Sequence, residues 1–586
     1  MRERVILGLV AAAAAVGLLG PALMPGYVLT YDMVFVPRQS PVSAAWGLAD
    51  VLPRAVPQDV VLWLLTTVAP GSWWQHLTLV LVVVGAALGV ARLLRREALW
   101  QRCLGSLLYV WSAYVAERLV MGSWPLLVAF AVLPWAVGQA LAVRRGTPGA
   151  CGRLVLLVAV GSIAPSSWAL VPLVALPIAL GPRSRAPWTR RAAVLLGVVA
   201  LQLPWLVPAL VSPARTASDA GGVAAFALRP EGPWGPVLTA LGTGGVWNSD
   251  AVPASRGMAL GLVGTMVVLV LAGLGARQAA AVLGRSGALV LLVTATLGAV
   301  VAIAGSVRPL EMGQLLSMVP GGGQFRDGQR LLAPMTLLLA AVAPLGACRV
   351  VRVVPDLLSR RVLVCALLAM PVIVLPDASW GSLGKLAAVE YPSDWATVTE
   401  RIAESSLPGD VAVLPWGAFR DFGWNGGRTV LDPAPRWLTR TAVVDDTLLV
   451  RRRDGTLQRV SGESARAAAI GAAVDGGGPL LPALQRGGIG FVVVERGTAG
   501  MVRPSSLVGL REEYVGTDLV LLGVPDPQPW PGPEPWRVTL VALAWCGALV
   551  ALVAALAATS GVRLRIAARQ GRAGGSVSSV HQTEEQ

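Results

Sequence analysis

The chain is poor in the residues that carry most soluble-enzyme chemistry. Of its 586 residues two are histidine, His76 and His581, and one is lysine, Lys385. That scarcity argues against a histidine general base and against a histidine-ligated metal. The five cysteines, Cys103, Cys151, Cys348, Cys365 and Cys546, all lie in or near apolar runs, so no disulfide framework holds the long polar segments. No phosphate-binding glycine loop, paired-histidine zinc motif or cysteine cluster is present. Charge is scarce too: 14% of residues are charged, against about 25% in soluble domains. Phenylalanine and tyrosine number only seven and six, beside twenty-one tryptophans.

What the chain has in abundance is apolar sequence. Hydrophobic residues make up 55% of it, and the mean hydropathy is +0.65. Apolar runs of spanning length recur from residue 4 to residue 558, and arginines gather at alternate connections. The clusters are Arg92/Arg95/Arg96, Arg144/Arg145, Arg183/Arg185/Arg190/Arg191, Arg277/Arg285, Arg349/Arg352/Arg360/Arg361 and Arg563/Arg565/Arg569/Arg572. Such clusters mark cytoplasmic loops. The net charge of +15 therefore orients spans and meets anionic membrane lipid, and it does not imply nucleic acid. The composition points to a multi-pass protein of a bacterial plasma membrane, with both termini cytoplasmic.

At about 20 residues per crossing, the pattern predicts a polytopic α-helical membrane protein of twelve spans: 4–24, 74–94, 98–116, 122–142, 153–165, 167–181, 192–212, 257–276, 286–304, 331–348, 362–376 and 536–558. The first run is read as an uncleaved span. The fifth and sixth are short and interrupted by Pro165 and Pro172, as is tolerated where helices line protein or a cavity. A membrane module over 1–376 carries outer loops 25–72, 213–256 and 305–330. Within the first loop, 60–69 suits a helix lying along the membrane surface. Residues 377–530 alternate helical patterns (394–405, 464–474, 480–486) with apolar strands (411–414, 489–495, 519–524), which predicts a small extracytoplasmic α/β domain. A last span over 531–560 and a basic, disordered cytoplasmic tail over 561–586 follow.

The chemistry left to such a chain is carboxylate and arginine chemistry at the outer membrane face. Asp32, within Thr30-Tyr31-Asp32-Met33-Val34-Phe35, is an acid flanked by apolar residues just beyond the first span. Such an acid is costly without a partner or a task; pairing with Arg38 is the simpler reading. Glu117 and Arg118 occupy the tight turn between spans three and four, as a boundary ion pair or as part of a site. Arg326, Asp327 and Arg330 precede span ten on the outer side, against the positive-inside bias, and guanidinium forks suit phosphate oxygens. Trp247, Asn248 and Asp250 in loop 213–256 offer an indole face and polar groups for a sugar, and Trp46, Trp234, Trp416 and Trp424 are further outer indoles.

These features resemble the GT-C superfamily of membrane glycosyltransferases, most nearly the actinobacterial cell-envelope arabinofuranosyl- and mannosyltransferases. The shared traits are a long first outer loop with an acid past span one (Asp32), a second acid between spans three and four (Glu117), many spans and a C-terminal outer domain. The "FRDGQR" run, "LPWGAFRDFGWNGGRTVLDP" (Leu414–Pro433) and "GGIGFVVVERG" (Gly487–Gly497) contribute to the likeness. The resemblance implies sugar transfer from a polyprenyl-phosphate donor to an envelope glycan or glycolipid. Asp32, with Glu117, would supply the general base, and Arg118, Arg326 and Arg330 would hold the donor phosphate. Asp327, Trp247, Asn248 and Asp250 would contact substrate. No metal ligands are assigned, no cofactor is certain, and a divalent cation is optional. The competing reading is a non-catalytic GT-C-like scaffold or a flippase for lipid-linked glycans.

Overall fold

The computed structural model describes residues 1–214, 220–318, 322–451, 456–460 and 462–574. Parts of two expected outer loops, 215–219 and 319–321, and the end of the tail, 575–586, lie outside the described residues.

Among the described residues seven helices are long and apolar enough to cross a membrane. They are Arg2–Leu23, Gly71–Leu93, Trp124–Arg144, Ala259–Val307, Gly328–Val353, Leu357–Val374 and Pro535–Thr559. A bent pair, Trp188–Ala200 and Leu203–Val211, turns through 52° and makes an eighth; Pro204 and Pro208 lie in its second half, where proline removes helix hydrogen bonds. The chain is a polytopic membrane protein. The 49-residue run Ala259–Val307 comprises two helices, Ala259–Gly275 and Ala279–Val307, the second kinked at Gly284.

The helices depart in form from the expected spans and tail at three places. The third breaks into Leu99–Val110 and Ala113–Val120, because Trp111 leaves helical geometry and the Ser112 hydroxyl caps the new helix by accepting from the Val115 N–H. The fifth and sixth are helices of 12 and 11 residues, Ala150–Gly161 and Leu170–Leu180. At 1.5 Å per residue each reaches about 18 Å, short of a hydrocarbon core of about 30 Å. The final helix runs through the basic segment to Gly574, where a disordered tail was expected from 561; its arginines, alanines and leucines are good helix formers.

Helix packing is tight where side chains are smallest. A Cβ on Gly346 would lie 1.8 Å from the Leu271 carbonyl oxygen, so the Ala333–Val353 and Ala259–Gly275 helices touch backbone to backbone. Close approach through glycine is how membrane helices gain dispersion energy without a hydrophobic driving force.

Between residues 388 and 524 the pattern changes to a mixed five-stranded sheet. Its order is Arg511–Val515, Leu519–Gly523, Ile489–Glu495, Asp410–Leu414, Ala442–Val443. Asp410–Leu414 pairs parallel with both neighbours and the remaining pairs are antiparallel. Strand alternation divides the side chains. Val411, Val413, Phe491, Val493, Leu519 and Leu521 join Trp395, Val398 and Ile402 of the Asp394–Glu404 helix in a core continuous with the membrane helices. Ala412, Leu414, Val492, Val520 and Leu522 pack on the opposite face with Ala467, Ile470 and Leu484 from the Ala465–Gly476 and Leu481–Arg486 helices.

Most of the outer indoles are packing residues. Trp46 meets Trp63 and Trp545, Trp416 sits against the second core, and Trp424 stacks on Phe422 at 4.8 Å. The two quoted motifs converge on a buried ion triad. Arg420 bonds Asp432 at 2.7 Å and also Glu495, and all three side chains are 1% exposed or less. Removing one partner strands buried charge. Arg420→Met is expected to destabilise the protein by about 3–5 kcal/mol, read as a lowered unfolding midpoint of the purified protein; an unchanged midpoint would contradict the triad's structural role.

Candidate functional site

The segment after the first helix is held from three directions. Tyr27–Val28 pairs antiparallel with Ala388–Val389. Gln75, on the Gly71–Leu93 helix, donates from Nε2 to the Val28 carbonyl (2.8 Å) and accepts the Val28 N–H at Oε1 (2.9 Å). The Thr30 hydroxyl donates to the Val120 carbonyl (2.9 Å), and the Asp32 N–H to that of Met121 (3.3 Å). From the far side, the Tyr31 N–H donates to the Thr429 carbonyl (2.7 Å), and Leu431 N–H to the Tyr31 carbonyl (2.8 Å). Asn425 Nδ2 adds a bond to the Leu29 carbonyl (3.2 Å). Tyr31 adopts φ of 42°, a left-handed geometry that turns the chain at Asp32.

Gly122 makes this approach possible. At φ of +66°, a Cβ there would sit 2.1 Å from the Met33 nitrogen and 2.4 Å from the Thr30 oxygen. Gly122→Ala is expected to displace the Asp32 segment, costing about 1–3 kcal/mol of stability together with activity. Unfolding midpoints and transfer assays on the same preparation would check both, and wild-type values would contradict the packing argument.

Asp32 is open to water yet surrounded by protein. Desolvation pushes its carboxyl above the usual range, opposed by the charges of Arg330, Arg436 and Arg54, while Asp327 raises it further. Arg436 is itself tied to Asp59 (Nε to Oδ1, 3.3 Å).

The arginines of the "FRDGQR" run face the same recess. Arg330 Nε donates to Asp327 Oδ2 at 2.6 Å and keeps 34% of its side chain exposed. Buried Arg118 approaches the other Asp327 oxygen at 3.8 Å. The Tyr114 hydroxyl, one helical turn before Arg118, donates to the Arg330 carbonyl (2.9 Å). Asp327 is thus a buried strut between two guanidiniums and does not reach toward a ligand. Arg326 lies over the Phe226 ring at 4.3 Å. Burial, then the nearby charges of Arg54 and Arg330, lower its pKa to about 10, so it is charged at neutral pH and surrounded by like charge. A cation cluster of this kind attracts a multivalent anion.

From Arg330 and Asp327 a recess extends along Phe325 and Leu331 to Leu126, Pro165, Trp168 and Leu170. Trp168 Nε1 donates to Gln324 Oε1 (2.7 Å), which ties the connection between the two short helices to the arginine run. The recess carries the Arg330–Asp327 ion pair at one end, and its walls mix apolar side chains with Ser166 and Gln324.

Asp32, Arg326, Asp327 and Arg330 therefore converge, and Arg118 joins them through Asp327. Trp247, Asn248 and Asp250 lie beside this group. Trp247 packs edge-on to Phe226 at 5.0 Å, and Asn248 and Asp250 lie beside the Tyr31 side chain. Glu117 does not join it. Its carboxyl is 2% exposed and accepts from the Gly245 N–H (3.3 Å) and the Val246 N–H (3.0 Å), beside Glu231. Consecutive helical residues diverge by about 100°, so a helix that aims Arg118 at the recess turns Glu117 away from it. The assignment of Glu117 as a catalytic acid is corrected on that ground.

The sequence reading missed Arg54, Arg436, Glu231 and Phe226. Arg54 and Arg436 carried a usable signal, being arginines on segments assigned to the outer face against the charge bias; Glu231 and Phe226 carried none. Among the described residues, no group of three or more His, Cys, Asp or Glu side chains is disposed to hold a metal ion.

The fold defines a polytopic membrane protein with a mixed five-stranded sheet packed on its membrane helices. Its structure is similar to the cryo-EM structure of the arabinofuranosyltransferase AftD from Mycobacteria, with a TM-score of 0.55 and 16% identity over 89% of this chain and 41% of that one. The likeness is one of fold, in a chain that spans less than half the length of that protein. No protein-family model and no curated protein matches the sequence.

Proposed function

We propose that this protein is an extracytoplasmic glycosyltransferase that moves arabinofuranose or mannose from a polyprenyl-phosphate donor to a cell-envelope glycan or glycolipid. The observation that carries this reading is the convergence of a water-accessible, arginine-flanked Asp32 with Arg330, beside which Arg326 lies. A prenyl chain suits the Leu126, Trp168 and Leu170 side of the recess that Arg330 lines, and its phosphate suits Arg330 with Arg326 beside it. In the reaction the acceptor hydroxyl attacks the anomeric carbon and gives its proton to Asp32. The bond from that carbon to the phosphate oxygen breaks, and polyprenyl phosphate leaves with its charge met by the two guanidiniums.

The arginine clusters support a topology with both termini inside and the 377–530 region outside as an α/β domain. Twelve passes require the three shorter helical segments to count as crossings. In this arrangement the domain's 425–436 stretch grips the Asp32 segment and fixes the base. AftD, described as an arabinofuranosyltransferase, supports arabinofuranose as the first donor to try. The test is product formation from labelled polyprenyl-phosphate arabinofuranose or mannose by membranes containing the protein. New glycan product over control membranes is expected; its absence with both donors and a competent acceptor mixture would overturn the proposal.

A further inference from the structure

Behind the Ala113–Val120 helix lies a second polar cluster that the proposed reaction does not use. Glu117 Oε1 and Glu231 Oε1 accept from one and the same N–H, that of Gly245, at 3.3 and 2.6 Å. Glu117 Oε2 takes the Val246 N–H, and Glu231 Oε2 takes Arg256 Nε at 2.7 Å. Glu117 is 2% exposed, the Glu231 side chain 0% and the Arg256 side chain 7%. The charges that face the Glu117 carboxyl are Glu231, Arg118 on its own helix and Arg256. One step beyond, Asp377 accepts from the Ser255 N–H at 2.8 Å. Two abutting carboxylates in a site closed to water cannot both stay ionised.

The pair sits where it bears on both walls of the recess. The N–H groups it binds belong to a loop with left-handed Thr243 (φ 64°) and Gly245 (φ 96°). That loop continues into Trp247, packed on the Phe226 ring beneath Arg326, and into Asn248 and Asp250, which lie beside Tyr31, the residue before Asp32. On the helix side, Glu117 is followed by Arg118, which braces Asp327 and hence Arg330.

We infer that Glu117 and Glu231 are positioning residues that share a single proton, and that this shared proton anchors loop 242–250 and so aligns both walls of the transfer site. The alignment part rests on the transferase reading; the proton sharing does not. Burial and Glu231 hold the Glu117 carboxyl well above the ordinary range. The folded chain therefore binds a proton that the unfolded chain releases. Stability from this source is fully present below the usual carboxyl range and is lost as pH rises through the folded value. Glutamine copies the protonated acid: its amide donates to Glu231 and its carbonyl accepts from Val246.

The experiment uses the purified full chain as wild type, Glu117→Gln and Glu117→Ala. Infrared difference spectra at neutral pH are expected to show a protonated-carboxyl component in wild type that is lost from Glu117→Gln. Unfolding midpoints should fall for wild type as pH rises above the ordinary carboxyl range, and should stay flat over the same interval for Glu117→Gln. In transfer assays Glu117→Gln should retain activity and hold it toward alkaline pH where wild type declines. Glu117→Ala should lose about 100-fold, as expected when a site is misaligned by an ångström. An unchanged band in Glu117→Gln, or parallel pH slopes of stability, would overturn the shared proton even if transfer is robust. Equal loss of transfer in Glu117→Gln and Glu117→Ala at every pH, with both folded, would overturn the positioning role and return Glu117 to the chemistry. The infrared and unfolding readouts remain decisive if no transfer is ever detected.

Discussion

Replacing Asp32 by asparagine is expected to lower sugar transfer by about two to four orders of magnitude, the usual contribution of a positioned general base, while polyprenyl-phosphate binding persists. The amide keeps the shape of the side chain and the hydrogen bonds of its backbone to Met121 and Val34, but it cannot take a proton from the acceptor hydroxyl. The environment suits the role. Desolvation raises the Asp32 carboxyl toward working pH, and Arg330, Arg436 and Arg54 keep it from rising too far. Since the base acts ionised, transfer should fall as pH drops through its raised value, and the acidic limb of the pH profile should belong to Asp32. Initial rates across pH, with donor affinity measured separately by competition with polyprenyl phosphate, would check both points. Undiminished transfer by a folded Asp32→Asn protein would remove this residue from the mechanism.

Loss of a single arginine at the other end of the recess should be nearly as severe. Arg330→Met is expected to cost about 10²–10³-fold in turnover, the range seen when one preorganised donor to a developing anion is removed. Its guanidinium is oriented by Asp327 at 2.6 Å, which is in turn braced by Arg118, so the donor is set before substrate arrives. Arg330→Lys keeps the charge but not the planar fork, and should recover only part of the loss. Arg326, resting on Phe226 and with no carboxylate within ion-pair distance among the described residues, should matter more for donor KM than for turnover. Steady-state kinetics with donor varied would separate these effects; equal kcat and KM in Arg330→Met and wild type would exclude Arg330 from phosphate stabilisation.

The membrane character and the arginine run were legible in the sequence for a physical reason. Lipid leaves few ways to satisfy a polar group, so Asp32 beside apolar residues and three charges in "FRDGQR" on the outer side stood out against their surroundings. The limits are equally physical. Glu117 and Arg118 are neighbours in sequence but point to different sides of one helix, and no pattern of spacing told which faced the recess. The break at Trp111 and Ser112 has no proline or glycine beside it, so span three read as continuous. Leu414–Pro433 stood out only as part of a likeness, and nothing in it told that Arg420 is buried between Asp432 and Glu495. Its Asn425 and Thr429 hold the segment carrying Asp32, hundreds of residues earlier in the chain. Contacts at that separation leave no local periodicity to read.

The most direct test of the account is a paired assay of purified wild type and Asp32→Asn, matched for folding, with radiolabelled polyprenyl-phosphate arabinofuranose and mannose and an envelope acceptor fraction. The account predicts label in glycan with at least one donor for wild type and almost none for the variant. Equal labelling by both proteins, or none from wild type with either donor, would contradict it.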